Sequence, residues 1–257
     1  MNEKNGIVKI FLSHVIRDLR NQILGIHYWL YGEPEIKLVG QLCDKKKVSI
    51  DVGANIGDYT YYLKKYSKLC YAFEPNPEHI KILNSKFEDD NVIIMDYAIS
   101  SSSGTQDLRI PIINQKEWSG MASLDQKNTL GDNPSKTIQV KTARLDDLKI
   151  DPVGFIKIDV EGHEFEVVKG ALSIIKRDHP NLIIEIEERH NPGSITILSS
   201  FLKNFGYNGF FFLNNRLTPL QDFDAKLYQN INNLNLDGTN KQKNKIYINN
   251  FIFIADA

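Results

Sequence analysis

The segment Val48-Ser-Ile-Asp-Val-Gly-Ala-Asn-Ile-Gly-Asp-Tyr-Thr60 constrains this chain more than any other. A short apolar run ends in Asp51, passes through Gly53-x-x-x-Gly57, and enters a helical pattern at Asp58. A strand, a glycine turn and a helix N-terminus in that order are how α/β proteins bring backbone N–H groups to a nucleotide-like ligand. The glycines let the backbone approach the ligand closely, and the first helical turn leaves its N–H groups unpaired. Asp51 narrows the choice. A carboxylate at this point repels a pyrophosphate and suits a ligand that is cationic there, such as the sulfonium and amino group of S-adenosylmethionine.

From Lys47 onward strands and helices alternate. The strands Val48–Val52, Leu69–Glu74 and Val92–Tyr97 are separated by the helices Asp58–Tyr66 and Pro77–Phe87. After an irregular stretch, the strand Val153–Val160 is followed by a helix over Glu161–Ile175. The strand Asn181–Glu187, a helix over Ser194–Phe205 and the strands Tyr207–Leu213 and Lys245–Ala255 complete the pattern. Such alternation predicts a doubly wound, mostly parallel seven-stranded sheet with one antiparallel edge strand. Between Ser100 and Lys149 the regularity lapses. Two strand-like runs, Thr105–Ile112 and Thr137–Arg144, flank a polar loop with Trp118, Ser119-Gly-Met121 and Gly131-Asp-Asn-Pro134. An excursion of that length inside an α/β fold is usually a lid or substrate wall. Gln229–Asn244, rich in Asn and Lys, reads as an exposed connector.

Residues 1–44 form a separate N-terminal helical extension in this reading, and 45–257 the main domain. Ile7, Ile10, Phe11, Val15, Ile16 and Leu19 recur at helical spacing, which predicts a flap packed on that domain. A dimer contact, or a membrane-surface contact through Lys4, Lys9, Arg17 and Arg20, is the alternative. Arg17, Asp18 and Arg20 also interrupt any signal-peptide core, and no stretch is apolar enough to span a bilayer.

The carboxyl edge of the sheet collects the chemistry. Glu74, at the tip of the second strand before Pro75-Asn-Pro77, can accept both hydroxyls of a ribose. Asp96 and Ala98, ending the third strand, are placed beside an adenine: one accepts from an exocyclic amine, the other leaves room for a flat ring. Asp159 and Glu161 follow an apolar strand and can hold an amino group, bind a divalent cation or assist deprotonation. His163 is either a capping residue or a base. Alternation puts Glu185 and Glu187 on one face of their strand. His190, just beyond them, is the preferred general base, because neutral imidazole takes a hydroxyl proton near pH 7.

A net charge of −1 gives nucleic acid no bulk electrostatic attraction. The chain has two cysteines, Cys43 and Cys70, too few for a disulfide framework. Cys70 in an apolar run suggests a reduced thiol and a reducing, cytoplasmic setting.

Four ordered motifs together resemble the FkbM family of methyltransferases: Asp51-Val-Gly-Ala-Asn-Ile-Gly57, Phe73-Glu-Pro-Asn-Pro77, Ser119-Gly-Met-Ala-Ser-Leu124 and Ile156-Lys-Ile-Asp-Val-Glu-Gly-His-Glu164. The likeness runs from about Pro34 to His190. It implies a Rossmann-like seven-stranded fold that uses S-adenosylmethionine to methylate hydroxyls, often on sugars of glycolipids, polysaccharides or antibiotics. It further implies Asp51, Gly53, Asn55 and Gly57 around the methionine part and Glu74 at the ribose. Ala54 and Pro75 in the same motifs, and Tyr59 and Thr60 just after the first, are further cofactor-binding candidates. Asp96 and Ala98 fall near adenine, Ser123 beside the cofactor, and Asp159 with Glu161 at the reacting centre. The first forty residues and those after Asn191 match none of these motifs. The expected acceptor is a sugar or other hydroxyl-bearing molecule, facing a wall that offers Trp118 for stacking and Asn114, Ser119 and Asp125 for hydroxyls. Three rivals stand beside this reading. One is a metal-dependent O-methyltransferase with magnesium on Asp159 and Glu185 or Glu187. Another is an NAD-dependent oxidoreductase, disfavoured by Asp51 and by the lack of Gly-x-Gly-x-x-Gly. The third is a non-catalytic cofactor-binding module.

Overall fold

The computed structural model describes residues 33–88, 91–125, 134–150, 152–235 and 241–256. The amphipathic pattern of residues 7–31 and most of the polar loop at 126–133 lie outside them. The strands are β1 (Val48–Val52), β2 (Leu69–Phe73), β3 (Val92–Met95), β4 (Ala98–Ile99), β5 (Gly104–Ile113) and β6 (Lys116–Glu117). They continue as β7 (Ser135–Ala143), β8 (Val153–Ile158), β9 (Asn181–Glu185), β10 (Tyr207–Leu213), β11 (Arg216–Pro219) and β12 (Asn250–Ala255). The helices are α1 (Val39–Leu42), α2 (Asp58–Tyr66), α3 (Pro77–Lys86), α4 (Glu164–Gly170), α5 (Leu172–Asp178), α6 (Ser194–Lys203) and α7 (Ala225–Tyr228).

An eight-stranded sheet in the order β11-β10-β12-β9-β8-β1-β2-β3 forms the centre. Strands β3, β2, β1, β8 and β9 pair in parallel. Their near-continuous apolar sequences fit burial on both faces. Ile156, Ile158, Ile184, Val167, Ile174 and Leu198 pack on one face with α4, α5 and α6. Phe155, Ile183, Tyr62, Leu63, Leu83 and Phe87 pack on the other with α2 and α3. Ile36, Val39 and Leu42 join that second cluster, so residues 34–42 are built into the core of the main domain.

The doubly wound architecture is the expected one, and two details differ. The final strand β12 is interior, antiparallel to both β9 and β10, not at an edge. The edge belongs to β11, an eighth strand that periodicity missed because it is short and exposed. It returns through Asn214-Asn215, both left-handed at φ 50° and 60°, which is the backbone a two-residue hairpin requires. A second difference lies after β8. The helix expected from Glu161 begins at Glu164, because Glu161 and Gly162 are left-handed at φ 51° and 96°. It then breaks at Gly170, whose missing Cβ would sit 2.1 Å from the Ser100 carbonyl oxygen.

The excursion between β3 and β8 is a separate four-stranded sheet, β4-β7-β5-β6. Its centre is a long antiparallel ladder from Gly104↔Thr142 to Pro111↔Ser135. The expected connector at 229–244 is partly anchored: Leu234 is buried, and Gln229 donates to the carbonyls of Ile186 and Ile248.

Candidate active site

Two chambers meet at the carboxyl edge of the parallel strands, where open α/β sheets bind their ligands. The inner one, of about 230 Å³, is lined by Gly53, Asn55, Glu74, Pro75 and Tyr97 from the main-sheet side and by Ala98 of β4. Leu108, Ser119, Gly120, Ala122 and Leu124 close it from the second sheet. The outer one, of about 790 Å³, is lined by Glu33, Asp51, Ala54, Tyr59, Trp118, Lys157, Glu187 and Arg189, with residues from 212–214 and 241–250. Gly53, Asn55, Gly120, Asp159, Glu161 and Glu185 line both, and so mark the junction.

The glycine turn is tightly built. Gly53 has φ 79°, and a Cβ there would meet the Asp159 carbonyl oxygen at 1.8 Å. Its N–H and that of Ala54 donate to the Phe73 carbonyl, tying β1 to β2. Glu74 accepts from the Asn55 and Asn76 N–H groups, each at 2.8 Å. Each carboxylate oxygen keeps a lone pair for a ligand hydroxyl. Pro77 at the first position of α3 and the Asn76 side chain capping Glu78 N fix the helix start beside it. His79 joins the two walls, with Nε2 2.7 Å from Ser119 Oγ and Nδ1 3.6 Å from Glu74 Oε1. Ser100 Oγ lies 2.9 Å from His163 Nε2, and burial holds His163 below the ordinary histidine value.

Asp51 is buried, and Thr60 Oγ1 donates to it at 2.5 Å. Burial raises its carboxyl to about 7, against the opposing pull of Thr60 and Lys157. Glu161 sits at the junction in a left-handed conformation that is uncommon for a residue with a side chain. Its turn is pinned on three sides. Ser123 Oγ donates to the Glu161 carbonyl at 2.5 Å, Asn191 Nδ2 to the Gly162 carbonyl at 2.8 Å, and Gly162 N to Glu164 Oε1 at 2.7 Å. His190 Nε2 lies 2.9 Å from Glu161 Oε2. Burial raises the Glu161 carboxyl, and His190 partly offsets that shift. Burial works against a charged His190, but Glu161 and Glu187 outweigh it and hold the ring above its ordinary value.

Several expected site residues stand elsewhere. Asp96 is exposed and paired with Lys141 at 2.8 Å, because the chain turns outward after β3; Tyr97 and Ala98 line the inner chamber instead. His190 lines neither chamber and stands behind Glu161, so it is not placed to meet an acceptor directly. His163 lines the inner chamber only. Gly57 serves packing: a Cβ there would meet the Phe87 ring at 2.4 Å. Thr60 and Ser123 act one step back, on Asp51 and on the Glu161 carbonyl. Asn114 lies at the exposed β5–β6 turn, Asp125 accepts from Asn191, and neither lines a chamber. Glu33, His79, Lys157 and Asn250 join the site without belonging to any of the four motifs as a recognised ligand-binding position. Lys157 alone carries a visible signal, a charge inside the apolar run Phe155–Ile158.

A ribose-ready acid and a glycine turn at the edge of such a sheet, opening on a second polar chamber, are the features of a site for a nucleoside-bearing cofactor beside a polar acceptor. The chain belongs to the FkbM methyltransferase family: the family's Methyltransferase FkbM domain matches residues 51–208. It is 30% identical over 193 residues to the Hexuronic acid methyltransferase AglP of Haloferax volcanii, covering 73% of this chain and 72% of that protein. It is 26% identical over 181 residues to Methyltransferase 1 of Beauveria bassiana, covering 62% of this chain and 71% of that one. Its fold matches the crystal structure of Methyltransferase FkbM from Methylobacillus flagellatus KT with a TM-score of 0.51 at 15% identity. That match covers 82% of this chain and 44% of the other, so this chain spans less than half of that protein. The protein is therefore a methyltransferase, of a family that uses S-adenosylmethionine. Among the described residues no helix is long and apolar enough to cross a membrane.

Proposed function

We propose that the protein transfers a methyl group from S-adenosylmethionine to a hydroxyl of a small polar acceptor. The best-supported acceptor is a sugar in a glycolipid, a polysaccharide or a glycosylated metabolite. The residues present fit the cofactor: Glu74 keeps accepting capacity for two ribose hydroxyls, Tyr97, Ala98, Leu108 and Leu124 offer flat apolar walls, and Asp51 with Asn55 would hold the methionine end. When bound, the cofactor supplies an electrophilic methyl group. The chain's own contribution is to orient the acceptor and take its proton.

Glu161 carries the reading. It is held in a strained turn where the two chambers meet, with His190 behind it. A carboxylate whose proton affinity is raised by burial is a better proton acceptor than an exposed one. His190 orients Glu161 and stabilises its charged form, and Asp159 at the same junction would orient the acceptor hydroxyl. Trp118 lines the outer chamber, where it would stack on a sugar face. A sugar acceptor is also supported by the hexuronic acid named for the relative AglP and by the small net charge, −1, which favours no nucleic acid. The two free cysteines support a reducing, cytoplasmic setting.

Calorimetric titration with S-adenosylhomocysteine, with NAD in a parallel cell and Glu74→Ala as control, tests the cofactor. Micromolar binding of the former alone, weakened in the variant, is expected and would justify a screen of neutral, amino and acidic sugars. Binding of NAD, or of neither, would remove this assignment.

A further inference from the structure

Lys157 interrupts the apolar β8 and is 1% exposed. An ammonium taken out of water needs opposing charge and hydrogen-bond acceptors. Its Nζ lies 3.4 Å from Asp159 Oδ2, and donates to Asn250 Oδ1 at 3.1 Å and to the Ile158 carbonyl at 3.4 Å. The Tyr59 ring of α2 covers it, centroid 4.8 Å away. Asn250 in turn donates to Glu33 Oε2 at 2.9 Å, and the Tyr59 hydroxyl to the same oxygen at 2.7 Å.

Strand register brings the remaining acids to the same place. Asp51 of β1 pairs with Lys157, and Glu185 of β9 pairs with Asn250 of β12. Carboxylate oxygens of Glu33, Asp159 and Glu185 come within 4.8 Å of one another, a spacing at which they could share a metal ion. Here an ammonium already stands beside Asp159 and is linked to Glu33 through Asn250, and its charge opposes the entry of a second cation. Burial alone would lower the lysine's proton affinity, but Asp159, Glu33, Glu185 and Asp51 outweigh it and hold Lys157 above its ordinary value.

We infer that Lys157 is the resident cation of the outer chamber: it offsets Glu33, Asp159 and Glu185, anchors Asp159 at the junction, and occupies the role a divalent ion would otherwise fill. Lys157 is a positioning residue in this account and touches no reacting atom. The consequence for methyl transfer rests on the reading of the outer chamber as the acceptor site; the charge balance itself does not.

Titration of the whole chain with MnCl2, followed by the electron paramagnetic resonance of free Mn²⁺, tests it in wild type, Lys157→Arg and Lys157→Met. Wild type and Lys157→Arg should bind Mn²⁺ only weakly. Lys157→Met should bind it at least about tenfold more tightly, since removing one buried positive charge leaves the carboxylate group open to a replacement, and adding Glu185→Gln should abolish that gain. Tight Mn²⁺ binding by wild type that Glu185→Gln abolishes, or no gain in a folded Lys157→Met, would overturn the inference; binding that survives Glu185→Gln belongs to Glu161, Glu187 and His190. Should Lys157→Met fail to fold, Lys157→Met with Asp159→Asn decides. Recovery of the fold in the pair supports charge compensation. Continued failure even with Glu33→Gln and Glu185→Gln added would overturn it, since Met keeps nearly the volume of Lys and no uncompensated acid of the group would remain. S-adenosylhomocysteine titrated into wild type reports separately on the cofactor assignment, so the two claims fail independently.

Discussion

The inner and outer chambers share one sheet edge but are built by different means. The floor of the inner chamber is made by short stretches that each follow a parallel strand: 53–55 after β1, 74–79 after β2, 97–99 after β3 and 159–163 after β8. The second sheet closes the chamber with Leu108 and residues from 119–124. Much of its shape is backbone, held by carbonyl and N–H pairs and by positions where a Cβ has no room. The outer chamber is made by side chains gathered from residues 33 to 250, and its order depends on charges offsetting one another. A backbone cradle suits a constant cofactor. A side-chain cluster can change residue by residue, which suits the proposed role of acceptor site.

Breaking the cradle should have the largest effect. Gly53→Ala drives a methyl group into the Asp159 carbonyl at a positive φ. We expect more than about a hundredfold loss of S-adenosylhomocysteine affinity by calorimetry, or a chain that no longer folds. Affinity within a few-fold of wild type would show that the turn can open, and the contrast between the chambers would lose its basis. At the junction, Glu161→Gln should lower turnover by about 10² to 10⁴ on the acceptor found by screening. His190→Ala should cost less, leave cofactor affinity intact, and move the acid limb of the pH–rate profile upward, because it removes the group that offsets the burial of Glu161. An unmoved limb would separate His190 from the reaction. Smaller again is Glu74→Ala, which removes a charged acceptor of two backbone N–H bonds and of the ligand hydroxyls. A loss of about ten- to a hundredfold in S-adenosylhomocysteine affinity, with turnover at saturating cofactor little changed, is the expected split.

The same contrast explains how much the sequence discloses. Asp51, Gly53, Asn55 and Glu74 lie in contiguous motifs whose spacing follows from one strand-turn-helix unit, so their place was legible before any coordinates. Asp96 stands away from the chamber because a strand end does not tell which way the next residue points; the chain turns it to Lys141. His190 was chosen for its titration range, but its burial behind Glu161 is a tertiary fact. Glu33 reaches Asn250 across more than two hundred residues of chain, a pairing that no local pattern encodes. β12 could be read as a strand, but its insertion between β9 and β10 depends on which neighbours compete for the sheet.

The smallest expected effect touches both chambers, because Asp51 belongs to the cradle motif yet faces the outer cluster. Burial raises its carboxyl from the ordinary 3.8 to about 7. An acid held higher in the folded state favours folding most below its unfolded value, where both states carry the proton. As pH rises from about 4 to about 7 the unfolded chain ionises first, so Asp51 progressively subtracts stability. Asp51→Asn keeps an oxygen for Thr60 and removes the titration. Urea denaturation between pH 4 and 7 should therefore show a flatter stability profile for the variant, by about 1 kcal/mol or more across the window. A profile parallel to wild type would mean that Lys157 and Thr60 already keep Asp51 ionised through the window. The lysine's compensation would then reach into the cradle as well, and the two chambers would share one electrostatic design.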